Sequence, residues 1–159
     1  MTVVLSHLEL VPKRDGSGRA ATARSGKIFG VGDFTILLVE DDFDVREALA
    51  ETLRDEGYRV ECAVDGEQAL DYLRGGGKPG LILLDLMMPR MSGSEFRMVQ
   101  KVDPQLCGVP VVLLSADGRM EEKARALETD GAIKKPIDLD ELLEVIQRFN
   151  QHSVSKTPA

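Results

Sequence analysis

Four consecutive large aliphatic residues, at positions 81–84, constrain the fold of this chain more than any other feature. A glycine stretch at residues 75–77 precedes the run, and Asp85 and then Pro89 follow it. A short apolar run with such boundaries is typical of a central parallel strand that is buried on both faces. Ligands of open α/β sheets bind outside the carboxyl ends of the strands. Asp85 therefore marks a candidate functional edge.

An acidic group, Glu40, Asp41 and Asp42, ends a second apolar run at positions 36–39 and directly precedes a predicted helix that starts near Asp44. Carboxylates gathered at one edge repel one another, so they either take up protons or share a divalent cation. Mg²⁺ fits the second option, because it prefers oxygen ligands and takes one or two carboxylates besides water and phosphate oxygens. The alternative is that these acids only cap the helix and favour its positive end.

Two further polar residues follow apolar runs in the same way. Ser115 comes after residues 111–114, and its hydroxyl is able to meet a phosphate oxygen, although a serine there is more often a turn former or a helix cap. Lys135 comes after the short segment 132–133, where an ammonium would neutralise a phosphoryl group, although a single lysine is usually a solvated surface charge. The bond from Lys135 to Pro136 is a candidate for the cis form.

The order of these residues along the chain predicts that they meet in space. Amphipathic helical patterns lie between the apolar runs, so the chain reads as five alternating β-α units of an α/β domain with a parallel sheet. Such units bring the carboxyl ends of the strands to one edge. An acceptor carboxylate, further acids, a hydroxyl and an amine at that edge are the parts needed to form and hold an aspartyl phosphate.

With these motifs the sequence resembles the receiver domain of two-component response regulators, from about residue 34 to residue 149. The resemblance implies a flavodoxin-like, doubly wound sheet of five parallel strands in the order 2-1-3-4-5, with helices on both faces. Four motifs carry it: Val-Glu-Asp-Asp at residues 39–42, the segment 83–89 with Ser92 and Gly93, Leu-Ser-Ala at residues 114–116, and Lys135-Pro136.

The resemblance also implies a role for each site residue. Asp85 would accept the phosphoryl group, and Ser115 and Lys135 would contact its oxygens. Magnesium would be held by four residues: Glu40 through a water molecule, Asp41, Asp85 and the backbone carbonyl of Met87. The chain would then be a phosphoacceptor signalling protein that catalyses its own phosphorylation and slow dephosphorylation, rather than an enzyme with a separate substrate.

These roles predict a stand-alone, single-domain response regulator that takes its phosphoryl group from a histidine kinase or a histidine phosphotransfer protein and then binds a downstream protein. Two rival interpretations stay open. A phosphatase of the haloacid dehalogenase type resembles a pattern with a second aspartate two residues after the first, where this chain has Met87. A degenerate receiver, which binds partners without phosphorylation, is favoured by Ala132, because receivers usually carry an aromatic residue at that position. The stretch from Ser115 to Lys135 is also short, which predicts a short or distorted helix.

Length and charge limit the classes of partner. The chain has 159 residues, of which 43% are hydrophobic, and a formal net charge of −7. These values suit one well-packed domain and disfavour nonspecific nucleic-acid binding. Cys62 and Cys107 lack a metal-binding spacing and fit free thiols in a reducing cytoplasm. No apolar stretch reaches the length of a membrane span, and the first residues lack a secretory pattern. We therefore expect a cytoplasmic protein with no membrane or nucleic-acid partner.

The chain divides into three predicted parts. Residues 1–33 form an N-terminal extension, with an apolar piece and then a basic, polar piece that is typical of a flexible linker. Residues 34–149 form the receiver domain, and residues 150–159 form a frayed polar tail. An alternative for the apolar piece is that it adds a strand or a short helix that docks on the domain or on a second copy.

Overall fold

The computed structural model describes residues 34–154, so the predicted N-terminal extension and the last five residues of the predicted tail lie outside the described residues. Strands and helices alternate along this range. The strands are β1 (Thr35–Val39), β2 (Arg59–Ala63), β3 (Leu81–Asp85), β4 (Val111–Ser115) and β5 (Gly131–Lys134). The helices are α1 (Phe43–Asp55), α2 (Gly66–Arg74), α3 (Gly93–Val102), α4 (Met120–Ala126) and α5 (Leu139–Val154). In the described part of the chain, no helix is both long and apolar enough to cross a membrane.

All five strands pair in parallel in a single sheet, in the order β2-β1-β3-β4-β5. The predicted fold class and strand order are therefore confirmed. The central strand β3 is buried along its whole length, as the apolar run predicts. A parallel connection needs a crossover, usually a helix, and these helices cover both faces of the sheet.

The hydrophobic core has two halves, one on each face of the sheet. Successive side chains of a strand point to opposite faces, so one strand contributes to both halves. Leu83 lies in the half that contains α1 and α5, whereas Ile82 lies in the half that contains α2 and α3. Phe96 of α3 is the largest fully buried side chain. The strands are thus fixed from both sides, which holds their carboxyl ends in place.

Local capping explains where helices α1 and α3 start. Helix α1 begins at Phe43, next to the predicted start near Asp44, because Asp42 has an extended backbone and its side chain accepts a hydrogen bond from the Val45 amide. Asp42, the last residue of the acidic group, is therefore the N-cap of α1. Helix α3 carries a complete capping box formed by Ser92 and Glu95.

Helix α4 is short, as predicted, and lies close to the surface. It has seven residues, none of them buried, and no side chain caps its N-terminus. The buried Arg97 of α3 donates from its guanidinium to the carbonyl oxygens of Leu127 and Glu128, which directly follow α4. Lys101 of α3 also pairs with the Glu128 carboxylate. Ala124 of α4 and the following Leu127 also pack against the core half that contains α2 and α3, so apolar packing and polar contacts together position α4.

Helix α5 continues to Val154 and so extends into the predicted tail, which was expected to begin at residue 150. Polar side chains of the last turn bond back to the helix. The Ser153 hydroxyl donates to the Phe149 carbonyl oxygen over 3.1 Å. The His152 ring lies 2.6 Å from the carbonyl oxygen of Arg148. The polar side chains of the last turn therefore find partners within the helix itself.

A cavity of about 770 Å³ opens at the amino edge of the sheet, where strands β3, β4 and β5 begin. Gly80, Pro110, Phe149 and Ser153 are among its lining residues. Phe34 packs over Gly80 so closely that a Cβ atom there would lie 2.2 Å from the ring. The start of β1 and the last turn of α5 therefore both lie at this edge, at the end of the sheet away from Asp85.

Candidate functional site

Three predicted site residues converge because they occupy equivalent positions in the strand pattern. Glu40 directly follows β1, Asp85 ends β3, and Lys135 directly follows β5. Since strand side chains alternate with a period of two residues, all three lie on the face of the sheet that packs against α1 and α5. They extend the rows of core residues that end with Leu38, Leu83 and Ile133.

The carboxylates of Glu40, Asp41 and Asp85 form one cluster, in which one oxygen of each lies within 4.8 Å of the others. Glu40 is 2% exposed and Asp85 is 6% exposed, whereas Asp41 faces solvent. The neighbouring Asp42 does not take part, because its side chain caps α1. The two interpretations of the acidic group therefore apply to different residues: Asp42 caps the helix, and Glu40 and Asp41 face Asp85.

Lys135 supplies the positive charge of the cluster. Its Nζ lies 2.8 Å from Glu40 Oε2 and 3.7 Å from Asp85 Oδ2. The bond between Lys135 and Pro136 is cis. The preceding residue, Lys134, is exposed, as the alternation of a strand requires. Only one of the two adjacent lysines therefore reaches the carboxylates.

Burial and mutual repulsion raise the pKa values of two acids of the cluster. Desolvation raises the pKa of Glu40 above its ordinary value; the hydrogen bond from Lys135 opposes this rise, and the charge of Asp85 adds to it. Partial desolvation also raises the pKa of Asp41, and the adjacent negative charge of Glu40 adds to the effect. Both shifts have the direction expected where carboxylates outnumber cations.

The cluster has the donor chemistry that Mg²⁺ requires. Three carboxylates and one ammonium leave a formal charge of −2 at this edge, and every donor offered by the acids is a hard oxygen. Mg²⁺ is typically held by one or two carboxylates, with water and phosphate oxygens completing its octahedron. The exposed side of the cluster, at Asp41, is open to water. The residues present therefore fit this ion.

Ser115 lies at the end of β4, next to β3 in the sheet, and is 3% exposed. Its Oγ accepts a hydrogen bond from the Asp117 amide over 3.1 Å, and its carbonyl oxygen accepts from the Lys135 amide over 2.9 Å. Because the hydroxyl oxygen acts as an acceptor here, its proton remains available for a phosphoryl oxygen. Asp117 itself turns towards α4, where its carboxylate pairs with Lys123.

The loop between β3 and α3 begins with a backbone contact to Asp85. The Met87 amide donates to Asp85 Oδ1 over 3.3 Å, while the Met87 side chain is 74% exposed. At the end of the loop Gly93 packs on the same backbone, and a Cβ atom there would lie 2.2 Å from the Asp85 carbonyl oxygen. Only glycine fits at this position, which explains the Ser-Gly pair of the motif. The Met87 carbonyl stays a predicted ligand.

Arg46 belongs to the site although the sequence interpretation missed it. Its guanidinium is nearly buried and donates to the backbone carbonyl oxygens of Glu40, over 3.0 Å, and Asp41, over 3.4 Å. It also lies 5.5 Å from the centre of the exposed Phe43 ring. The segment that carries two cluster acids is thereby fastened to α1. The signal was available, because position 46 lies on the buried stripe of α1 that continues with Leu49, Ala50 and Leu53.

Comparisons with known proteins agree on one family. The family model described as "Response regulator receiver domain" matches residues 36–147. Among curated proteins, response regulator MprA of Mycolicibacterium vanbaalenii is 39% identical over 111 residues, which cover 68% of this chain and 46% of that protein. This chain spans about half the length of the curated relatives it matches.

Solved structures show the same similarity. The chemotaxis response regulator CheY4 of Vibrio cholerae superposes with a TM-score of 0.66 at 30% identity, over 73% of this chain and 98% of that chain. Response regulator TrrA of Thermotoga maritima, solved in complex with Mg²⁺-BeF, superposes with a TM-score of 0.65 at 30% identity and with the same two coverages, 73% and 98%.

Proposed function

Because the chain belongs to the family of response regulator receiver domains, we propose that Asp85 accepts a phosphoryl group from a histidine kinase or a histidine phosphotransfer protein. The observation that carries this proposal is the setting of the Asp85 carboxylate. It is buried, lies within 4.8 Å of two other acids and is 3.7 Å from the Lys135 ammonium. The phosphorylated chain then signals by binding a downstream protein.

The transfer forms one bond and breaks another. An oxygen of the Asp85 carboxylate attacks the phosphorus of the donor phosphohistidine, and the bond from phosphorus to the imidazole nitrogen breaks. The electron pair leaves with the imidazole, which takes up a proton. The Met87 amide orients the nucleophile through its hydrogen bond to Oδ1, and Lys135 lies where it offsets negative charge on the phosphoryl oxygens.

We propose that Glu40, through water, together with Asp41, Asp85 and the Met87 carbonyl holds Mg²⁺ at this edge. When bound, the ion offsets the negative charge of the acids and of the transferring group. Two facts support this assignment: the oxygen-rich cluster fits the ion, and the similar receiver TrrA was solved with Mg²⁺-BeF. Desolvation and the neighbouring acids also raise the pKa values of Glu40 and Asp41, so a bound cation would stabilise their charged forms.

The proposed modification would form new charge-assisted hydrogen bonds whose combined energy is close to what a conformational switch requires. The phosphoryl group of an aspartyl phosphate carries about −1.5 to −2 charges, of which about one replaces the charge of the ionised Asp85 carboxylate. Its oxygens would meet the Ser115 hydroxyl and the Lys135 ammonium. Each charge-assisted hydrogen bond is worth roughly 1.5–3 kcal/mol, and inverting a 1:99 population takes about 5.5 kcal/mol. Lys135 would give up part of its contact with Glu40 to bind the phosphoryl group, so the net free energy gained from Lys135 is smaller. Ser115 and Lys135 are therefore both needed.

The direct test is to incubate the protein with acetyl phosphate and Mg²⁺ and to weigh it. We expect a mass increase of one phosphoryl group, and no increase when the metal is removed with a chelator. Hydroxylamine treatment, which cleaves acyl phosphates, should reverse the increase. An unchanged mass under all conditions would contradict the proposal and support the degenerate receiver, which Ala132 favours.

Ser115→Ala is expected to leave phosphorylation of Asp85 intact and to weaken the structural change that the phosphoryl group causes. The lost hydrogen bond, roughly 1.5–3 kcal/mol, lowers the equilibrium constant between the switched and the unswitched state about tenfold or more, since 1.4 kcal/mol is tenfold. The measurement is amide hydrogen exchange at residues 116–126 with and without the phosphoryl group. Ser153→Ala, at the opposite edge, is the control. An unchanged exchange response in labelled Ser115→Ala would contradict this role.

The phosphoryl group is expected to be long-lived. Met87 is apolar and cannot orient a hydrolytic water, and the Asp117 carboxylate is engaged by Lys123 over 2.5 Å. We expect decay over far longer than seconds, measured by loss of label after the donor is removed. Met87→Gln supplies a hydrogen-bonding group and should shorten the lifetime several-fold, whereas Met98→Gln, at an exposed position on α3, should not. A lifetime of seconds in the unaltered protein would contradict the argument.

A further inference from the structure

The loop between β3 and α3, residues 86–92, is fastened to the start of α2 by contacts that the proposed transfer does not use. Arg90 lies in this loop with φ of 60° and reaches across to Asp65, which caps α2. Its Nε and Nη2 both face Asp65 Oδ2. Beside this ion pair, the Gly66 amide donates to the Met91 carbonyl oxygen over 3.1 Å.

Asp65 is a fixed anchor for the loop. Its carboxylate is fully buried, and Oδ1 accepts a hydrogen bond from the Gln68 amide over 2.9 Å. A buried carboxylate is costly unless it is paired and hydrogen-bonded, and the Arg90 guanidinium supplies the charge. The two segments also touch directly, since a Cβ atom on Gly66 would lie 2.6 Å from the Met91 side chain.

The same loop carries the site at its other end. Leu86 is buried, and the next residue, Met87, donates its amide to Asp85 Oδ1. Only two residues separate Met87 from Arg90, so the short segment between them is held at both ends. Freeing Arg90 would release the backbone of Met87, both the amide that orients Asp85 and the carbonyl that is a proposed metal ligand.

We infer that Asp65 and Arg90 are positioning residues: their ion pair holds the β3–α3 loop so that the backbone of Met87 stays aimed at Asp85. The inference rests on the proposed phosphoacceptor function. It differs from a purely structural role because it requires that the site, and not only the fold, responds when the pair is lost. Loss of partners that orient metal ligands typically costs 10–100-fold in metal affinity or activity.

The main test variant is Asp65→Asn. The asparagine keeps an oxygen for the Gln68 amide and therefore keeps the cap of α2, while Arg90, whose side chain is 61% exposed, remains solvated. The double variant Asp65→Asn/Arg90→Gln removes both charges and covers the case in which the single variant folds poorly. Lys101→Gln, which removes an exposed ion pair with Glu128 on α3, is the matched control.

Two readouts are needed. Amide hydrogen exchange at residues 87–92, without metal or donor, should become faster in Asp65→Asn and in the double variant, and should stay unchanged in the control. The Mg²⁺ concentration for half-maximal labelling by acetyl phosphate should rise about tenfold or more in both variants. Arg90→Lys, which keeps the charge but lacks the forked geometry, should change both readouts less than the double variant does.

The outcomes separate the inference from the function on which it rests. If the unaltered protein takes no label, the proposed function fails, while the exchange measurement still tests the ion pair as an anchor of the loop. If the unaltered protein is labelled and Asp65→Asn matches it in both readouts, the inference is overturned. Faster loop exchange with normal labelling, or an equal loss of labelling in Lys101→Gln, would also overturn it.

Discussion

Asp85→Asn is expected to reduce labelling by acetyl phosphate and Mg²⁺ to background while the protein stays folded. Asparagine has nearly the shape of aspartate, but its amide is a poor nucleophile, so the acceptor oxygen is lost without a change in packing. The substitution also removes one of three clustered carboxylates. The unfolding free energy should therefore not fall, because like charges at short distance destabilise the fold. Mass spectrometry and denaturant unfolding measure the two effects.

A matched control for this substitution is Asp44→Asn. Asp44 is an exposed acid in the first turn of α1 and lies outside the carboxylate cluster. Its loss changes the net charge by the same amount and should leave labelling unchanged. Persistent labelling of Asp85→Asn would show that another acid accepts the group. Asp41, the exposed member of the cluster, would then be the first residue to test.

Lys135→Met is expected to destabilise the metal-free protein by about 3 kcal/mol, the lower end of the range for breaking a buried ion pair. Lys135 contacts the buried Glu40 over 2.8 Å and is itself only 13% exposed, so the variant leaves two buried carboxylates without a cation. Mg²⁺ should restore part of the loss. Denaturant unfolding in chelator and in Mg²⁺ measures both effects. Lys134→Met, at an exposed neighbouring position, should change stability by about 0.5 kcal/mol or less.

The pH dependence of this pair of variants has a definite sign. In Lys135→Met the hydrogen bond that opposes the raised pKa of Glu40 is gone. When the pKa of a carboxyl is higher in the folded than in the unfolded chain, the free energy of unfolding falls as pH rises from the unfolded-state pKa to the folded-state pKa. Lys135→Met should therefore approach Lys134→Met in stability at acidic pH. An equal deficit at all pH values, or the same deficit in both variants, would contradict the role of Lys135 as counter-charge.

The strands and their order could be predicted because buried parallel strands leave a strong local signal. The apolar run at residues 81–84 and its boundaries predict a central strand, and β3 is buried throughout. The polar residues after the strands had to meet once the sheet was parallel. The convergence of Glu40, Asp85 and Lys135 is therefore a consequence of topology and of the period of two in a strand. The chemical roles of these residues remain predictions.

The features that the sequence interpretation missed are contacts between distant segments or depend on fine local geometry. The ion pair between Asp65 and Arg90 joins two segments that are distant in sequence, and no periodic pattern in the sequence indicates it. Arg97 resembles an ordinary surface charge of α3, but it is buried against the end of α4. Three adjacent acids offered several possible caps for α1, and only the extended backbone of Asp42 decides among them.

The shared location of Phe34 and the last turn of α5 has a practical meaning for protein engineering. Both ends of the folded unit emerge beside the same cavity, at the side of the sheet away from Asp85. Termini that lie close together at a surface tolerate insertion into a host protein and circular permutation. A fluorescent reporter grafted there would leave the carboxylate edge unobstructed.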